Sequence, residues 1–260
     1  MNEKGLVIGE MTLGDTVYPN RDARRAVIQA QWIQYQLDNC ATVEEVLATD
    51  KIIRIDTYEY PSHFLVCDSS GACATVEWLG GQLVAHTGAA APIKALANSP
   101  YSECLSYGSA VSQRFATAAN LLENYAGEDP IDYMFTILNA THQQSTVWRL
   151  VFDAKNVRLY FLTARNRARR WVSLTDFDLS CGPSPETLDI NAPGSGDVRA
   201  NFAPFNHQVN ESAVRTFFTK WGAANGPVPE SFLQQVINYH DTMRCCRDCA
   251  RVRGIRPGRN

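Results

Sequence analysis

Alternation of apolar and polar residues with a period of two dominates the N-terminal third of the chain. Leu6-Val7-Ile8 is apolar with β-branched members, and Met11 and Leu13 then alternate with Glu10 and Thr12. This predicts a strand over Leu6 to Leu13, with Gly9 admitting a neighbouring backbone. Gly14 to Asn20 reads as a loop. From Asp22 the period lengthens: Val27, Ala30, Ile33 and Leu37 recur at helical spacing and predict a helix to about Asp38. Thr42-Val43-Glu44-Glu45 carries the capping-box pattern, so a shorter helix is expected over Val43 to Ala48. The period of two returns in Lys51 to Tyr58, His63 to Cys67, Ala72 to Leu79 and Gln82 to His86. Asp68-Ser69-Ser70-Gly71 and Gly80-Gly81 separate the last three as turns of hairpin length, so the strands pair antiparallel.

Beyond Asn98-Ser99-Pro100-Tyr101 the helical period resumes in Val111, Phe115, Ala118, Leu122 and Tyr125. Asp129-Pro130 then supplies an N-cap and a first-turn proline for a helix carrying Tyr133, Met134, Ile137 and Leu138. Thr146 to Phe152 and Val157 to Thr163 read as a hairpin across Asp153-Ala154-Lys155-Asn156, with Arg170 to Leu174 beside it. Gly182 to Asp197 holds Pro183, Pro185, Pro193, Gly194 and Gly196 and is expected to be irregular. Val209 to Trp221 and Pro229 to Met243 read as late helices. The succession of helices, strands, helices and strands, with hairpins in place of βαβ crossovers, fits one α+β domain over residues 1–243. In it two antiparallel sheets face each other and helices cover their outer faces. Residues 244–260 form a basic tail, with six arginines against one aspartate.

Composition narrows the partners. A net charge of -3 and a pI near 6.0 give no overall attraction to nucleic acid or to an anionic membrane, and no apolar run is long enough to span a bilayer. The N-terminus lacks the basic and apolar regions of a signal peptide, and the compartment is not legible. His63, His86, His142, His207 and His240 show no metal-ligand spacing, and His63 and His86, within strands, read as hydrogen-bonded structural histidines. Of the eight cysteines, most read as small buried hydrophobes. Cys67 and Cys73 flank a tight turn and can face each other, but nothing in the sequence establishes an oxidising compartment, so free thiols are expected. Cys245-Cys246-Arg247-Asp248-Cys249 contains a single C-x-x-C without the second ligand pair a zinc site needs.

Met1-Asn2-Glu3-Lys4-Gly5-Leu6, followed by a short apolar strand and Tyr18, resembles a segment of the choloylglycine hydrolase and penicillin V acylase family, linear amide C–N hydrolases of the N-terminal-nucleophile class. Further matching segments carry the resemblance to about residue 220, among them Ala95-Leu96-Ala97-Asn98-Ser99-Pro100-Tyr101, Ser112-Gln113-Arg114-Phe115 and Arg158-Leu159-Tyr160-Phe161-Leu162-Thr163. The resemblance implies an αββα sandwich, no cofactor and no metal. It implies as substrate a small-molecule amide: an N-acyl amino acid, a bile salt or a penicillin-like compound. It leaves room for a homo-oligomer.

In such enzymes the thiol of an N-terminal cysteine attacks the amide and its own α-amine serves as base. The first segment here matches one that follows that cysteine by several dozen residues, so the sequence is expected to be an N-terminally truncated domain, inactive by itself. Three site residues follow from the resemblance. Asn98 stands where a side-chain amide donates to the oxyanion; taken alone, it reads as the cap of an Asn-Ser-Pro turn. Thr12 stands where a backbone N–H supplies the second donor. Arg114 stands where a cation lies near the sulfur; taken alone, it is a surface arginine at a helix start. The alternative function is a non-catalytic binding module for acyl or steroid-like ligands. A weaker one makes Cys67 or Cys73, with His63 or His86, an internal nucleophilic pair. A domain lacking its opening strands should also expose Leu6 to Leu13 as an unpaired sheet edge.

Overall fold

The computed structural model describes residues 1–56, 61–180 and 183–242. Expectations for the end of the strand at Tyr58, for Cys181, for Met243 and for the basic tail with its C-x-x-C lie outside the described residues. The chain divides into two compact units, residues 1–177 with 190–200, and residues 178–189 with those from 201 onward.

The first unit opens with β1 (Val7–Thr12), β2 (Arg25–Val27), α1 (Gln29–Asn39), α2 (Val43–Ala48) and β3 (Ile53–Ile55). A meander of β4 (Ser62–Cys67), β5 (Cys73–Leu79) and β6 (Gln82–Thr87) follows. These three and β1 form a four-stranded antiparallel sheet in the order β1-β4-β5-β6. One face of this sheet presents Phe64, Val66, Ala74, Val76 and Trp78, all at most 1 % exposed, to Trp32, Val43 and Val46 on α1 and α2. Trp32 stacks on Phe64 at 4.6 Å and meets Trp78 edge-on at 5.6 Å, so the aromatic cluster ties the helical layer to the sheet.

Two expectations fail here. The helix expected from Asp22 begins only at Gln29, because Arg25–Val27 instead pairs in parallel with β3 and Arg24 bridges Asp22 and Asp50. Val27, which matched the helical period, packs into the core from a strand. Cys67 and Cys73 are joined by a disulfide. They are direct cross-strand partners one step from the turn, so their side chains share a face at 4.1 Å Cα separation. Closing a loop this short contributes roughly 2 kcal/mol in the chain-entropy account.

The rest of the first unit holds α3 (Tyr101–Tyr107), α4 (Gln113–Glu123) and α5 (Pro130–Ala140), then β7 (Trp148–Asp153), β8 (Arg158–Thr163) and β9 (Arg170–Ser173). Asp129 caps α5 through Asp132 N, with Pro130 in its first turn. α3 went unread in the sequence, being a seven-residue helix directly behind Asn-Ser-Pro. β7, β8 and β9 pair antiparallel. The short β11 (Gly196–Asp197) joins β9 in parallel, so this second four-stranded sheet is mixed where an antiparallel one was expected. Buried Arg170 accounts for the added strand: its guanidinium donates to the carbonyls of Ile190 and Ala192 and lies over the Phe161 ring at 4.6 Å, fastening the irregular segment to β9.

The second unit consists of β10 (Glu186–Thr187) paired with β12 (Ala203–Pro204), and of α6 (His207–Asn225) and α7 (Glu230–Ile237). Arg215 of α6 bridges Glu211 and Glu230, and this holds the Glu230 carboxyl down at about 2. No helix among the described residues is long and apolar enough to cross a membrane.

Candidate active site

β1 delivers Thr12 to the rim of the first sheet. Leu13 N donates to Pro61 O, which fixes the hydrogen-bonding parity of the strand: peptide groups of odd-numbered residues face β4, and those of Ile8, Glu10 and Thr12 face away from it. Both the carbonyl and the N–H of Thr12 therefore point to the outer side of the sheet. Asn98 reaches that side from the segment that follows β6, anchored by the buried Ala95 and Ala97 on either side of Leu96. Its Nδ2 donates to Thr12 O at 2.8 Å, across 86 residues of sequence. Its Oδ1 accepts from the guanidinium of Arg114, at the start of α4, where Ser112 caps the helix through Phe115 N.

The chemistry of these partners leaves the Asn98 amide one orientation. A carbonyl can only accept and a guanidinium can only donate, so Nδ2 must face Thr12 and Oδ1 must face Arg114. One of the two Nδ2 hydrogens is used on Thr12 O. The other diverges from it in the plane of the same amide. Thr12, Asn98 and Arg114, far apart in sequence, thus meet in one exposed polar cluster.

The cysteines stand apart from this cluster. Cys67 and Cys73 are consumed in their disulfide, which removes the internal pair with His63 or His86. The described cysteines outside that disulfide, Cys40 and Cys104, are both buried. Burial, then the nearby Glu77 and Glu103, push the Cys104 thiol above its ordinary value, the reverse of an activated nucleophile.

Beneath the segment carrying Asn98 lies a polar layer that sequence reasoning did not assemble. The β4–β5 register sets His63 and Glu77 one step beyond the Phe64–Val76 pair, on the face opposite the aromatic core. Both are fully buried, with His63 Nδ1 at 2.9 Å from Glu77 Oε1 and His63 Nε2 at 2.5 Å from Ala97 O. Thr75 Oγ1 meets His86 Nδ1 at 3.0 Å, and the His86 ring packs on Tyr101 at 5.1 Å. The signal available in sequence was the alternation itself: polar His63, Thr75 and Glu77 interleave with core residues. Their burial depends on a non-periodic covering segment.

A family model described as linear amide C-N hydrolases, choloylglycine hydrolase family, matches residues 1–107. The chain is 24% identical over 265 residues to a penicillin V acylase of Pectobacterium atrosepticum, covering 78% of this chain and 70% of that protein. Among solved structures it superposes on penicillin V acylase from Agrobacterium tumefaciens with a TM-score of 0.65 and 25% identity, covering 79% of this chain and 76% of that one. Residues 1–107 thus match the choloylglycine hydrolase family by sequence, and the chain is similar to penicillin V acylases over most of its length. A conjugated bile acid hydrolase from Clostridium perfringens shares the fold, with a TM-score of 0.59 at 17% identity over 69% of this chain and 73% of that one. The two multi-stranded sheets with their helices match the N-terminal-nucleophile hydrolase architecture of these family structures.

In the second unit a ligating atom from each of His207, His240 and Asp241 lies within 4.8 Å of the others. Spacing in sequence gave no hint of this grouping, because α6 and α7 intervene between the two histidines. Each ring already faces a protein oxygen: His207 Nε2 lies at 3.1 Å from Asn238 Oδ1, and His240 Nε2 at 3.0 Å from Asp241 Oδ1.

Proposed function

We propose that the chain carries the oxyanion-binding half of a linear amide C–N hydrolase, with the second Nδ2 hydrogen of Asn98 and the backbone N–H of Thr12 as donors and Arg114 as the cation that fixes Asn98. The observation that carries this reading is the bond from Asn98 Nδ2 to Thr12 O, made while Arg114 holds Oδ1. It sets a neutral donor rigidly beside an outward N–H, which is what charge developing on a tetrahedral intermediate requires. The attacking thiol comes from outside the described residues, since every described cysteine is either bonded or buried. The substrate class is a small-molecule amide with an acyl group of the kind the relatives' names indicate, penicillin V or a conjugated bile acid.

The test compares this chain with a chimera bearing, ahead of Met1, a Cys-initiated N-terminal strand pair of the kind the resemblance implies, taken from the aligned start of the Agrobacterium penicillin V acylase. The chain alone should release no phenoxyacetate from penicillin V, and the chimera should. Asn98→Ala in the chimera should lower kcat roughly 100-fold, the usual consequence of removing one oxyanion donor. A folded, monomeric chimera inert toward penicillin V, conjugated bile salts and N-acyl amino acids would sink the reading.

The buried state of Cys40 and Cys104 favours a second reading, a binding module for acyl or steroid-like ligands without turnover. Saturable binding of these ligands by a chimera that never hydrolyses them would establish it.

A further inference from the structure

His63 and Glu77 lie outside the cluster of Thr12, Asn98 and Arg114, yet they hold the backbone from which Asn98 projects. Ala97 O, 2.5 Å from His63 Nε2, belongs to the same peptide plane as the Asn98 nitrogen and Cα. Three residues past Asn98, Tyr101 N donates to Glu77 Oε1 at 3.0 Å. One side-chain pair therefore grips the chain at the peptide entering Asn98 and again at Tyr101. Both members of the pair are fully buried. Tyr101 reinforces the hold, its hydroxyl donating to Ile93 O at 2.7 Å and accepting from Ile93 N.

The protons can be counted. A carbonyl only accepts, so His63 Nε2 carries a hydrogen toward Ala97. One further proton sits on the 2.9 Å line between His63 Nδ1 and Glu77 Oε1. Whichever atom holds it, the pair is neutral overall, which is how two ionisable groups are accommodated without solvent. Glu77 Oε2 accepts no hydrogen bond among the described residues and faces His86 Nδ1 at 3.8 Å. A pair of aliphatic side chains would fill this space without the desolvation cost; what it could not do is fix the direction of the Ala97 carbonyl.

We infer that His63 and Glu77 act as a positioning couple for Asn98: the imidazole, oriented by the carboxylate, sets the Ala97–Asn98 peptide plane and hence the aim of the Asn98 amide. This rests on the reading of Asn98 as an oxyanion donor. Displacing such a donor by about 1 Å is enough to cost a hundredfold in rate. Neither residue touches substrate in this scheme.

Two substitutions separate positioning from bulk stability. His63→Gln places an amide nitrogen about where Nε2 stands and keeps a donor for Ala97 O. His63→Asn reaches only about as far as Nδ1, keeping Glu77 and losing Ala97. The first readout uses the chain itself: the ¹H–¹⁵N signals of the Asn98 side-chain amide, assigned by their loss in Asn98→Ala. In His63→Gln these should stay resolved and protected; in His63→Asn they should exchange with water at least about tenfold faster. The second readout uses the chimera, where His63→Asn should lower kcat roughly 100-fold at unchanged KM and His63→Gln should restore most of it. Asn98 signals in His63→Asn that match the parent, or equal disturbance in both variants, would overturn the positioning role. Should the signals respond as expected while the parent chimera turns nothing over, the couple stands and the hydrolase reading falls.

Discussion

Asn2 uses its whole hydrogen-bonding capacity at one spot. Nδ2 donates to Leu37 O and to Cys40 O, each at 2.8 Å, capping the end of α1, while Oδ1 accepts from Lys4 N and Leu6 N. Aspartate lacks the donors and leucine lacks both, so the residue type follows from the geometry. Gly5 is as constrained: its φ is +78°, and an added Cβ would stand 2.2 Å from the backbone oxygen of Ala154. Gly9, which the sequence suggested as the point of close approach, has its nearest neighbour at 3.9 Å and negative φ. Gly5→Ala should therefore cost upward of about 2 kcal/mol, from the positive φ together with a clash that only backbone movement relieves. Gly9→Ala should stay within about 1 kcal/mol of the parent. Urea midpoints of the two variants decide this, and equal midpoints would refute it. The Met-Asn-Glu-Lys-Gly-Leu run was legible as a family phrase. Its physics was not, because Leu37, Cys40 and Ala154 are brought to it only by the fold.

At the scale of elements, legibility tracks how local the determinants are. α2 begins and ends where its residues say, because Thr42 Oγ1 accepts from Glu45 N and Glu45 Oε2 accepts from Thr42 N, all within one turn. α1 starts late because Arg24 and β3 make non-local claims on residues that otherwise suit a helix. The disulfide was missed although the register was right, since pairing Cys67 with Cys73 follows from the turn length while oxidation does not. The cluster of Thr12, Asn98 and Arg114 was reached by resemblance alone, and His63–Glu77 was invisible because its cover is aperiodic.

The same turn also joins two elements. Asp68 closes the β4–β5 hairpin through Ser70 and, across to α2, accepts from Val43 N at 3.0 Å. Burial raises its carboxyl pKa, and the hydrogen bonds from Ser70, Val43 and Ala72 outweigh that, leaving it below its ordinary 3.8. A carboxylate depressed by folding stabilises fully above its unfolded pKa, and that contribution drains away as pH falls below about 3.8 through the folded value. Urea midpoints measured from about pH 5 down to about pH 2.5 should fall more steeply for the parent than for Asp68→Asn, which lacks the titrating group. Parallel slopes would show that Asp68 contributes nothing to the linkage.

For the molecule as a whole, the open question set by the sheet order is what happens at β1. It is the outermost strand of β1-β4-β5-β6, and among the described residues no strand pairs along its other side. Asn2 occupies the peptide groups of Leu6 there, and Asn98 occupies the Thr12 carbonyl, which leaves the peptide groups of Ile8 and Glu10 facing outward between them. Ile8 and Met11 are only partly buried, and neither a proline nor a lysine guards the strand, so the edge offers an extended partner both hydrogen bonds and some apolar area. The purified chain should associate with itself, with weight-average mass rising with concentration in sedimentation. The parity of the strand supplies the control. Glu10→Pro removes an N–H that points away from β4, so the fold should survive and the association should vanish. Met11→Pro, one residue on, removes an N–H that serves the β1–β4 ladder and should unfold the sheet. The chimera, whose added strand pair is expected to cover this edge, should sediment as a monomer. A parent chain monomeric at every concentration, or a folded Glu10→Pro chain that still associates, would show that the edge is not the contact.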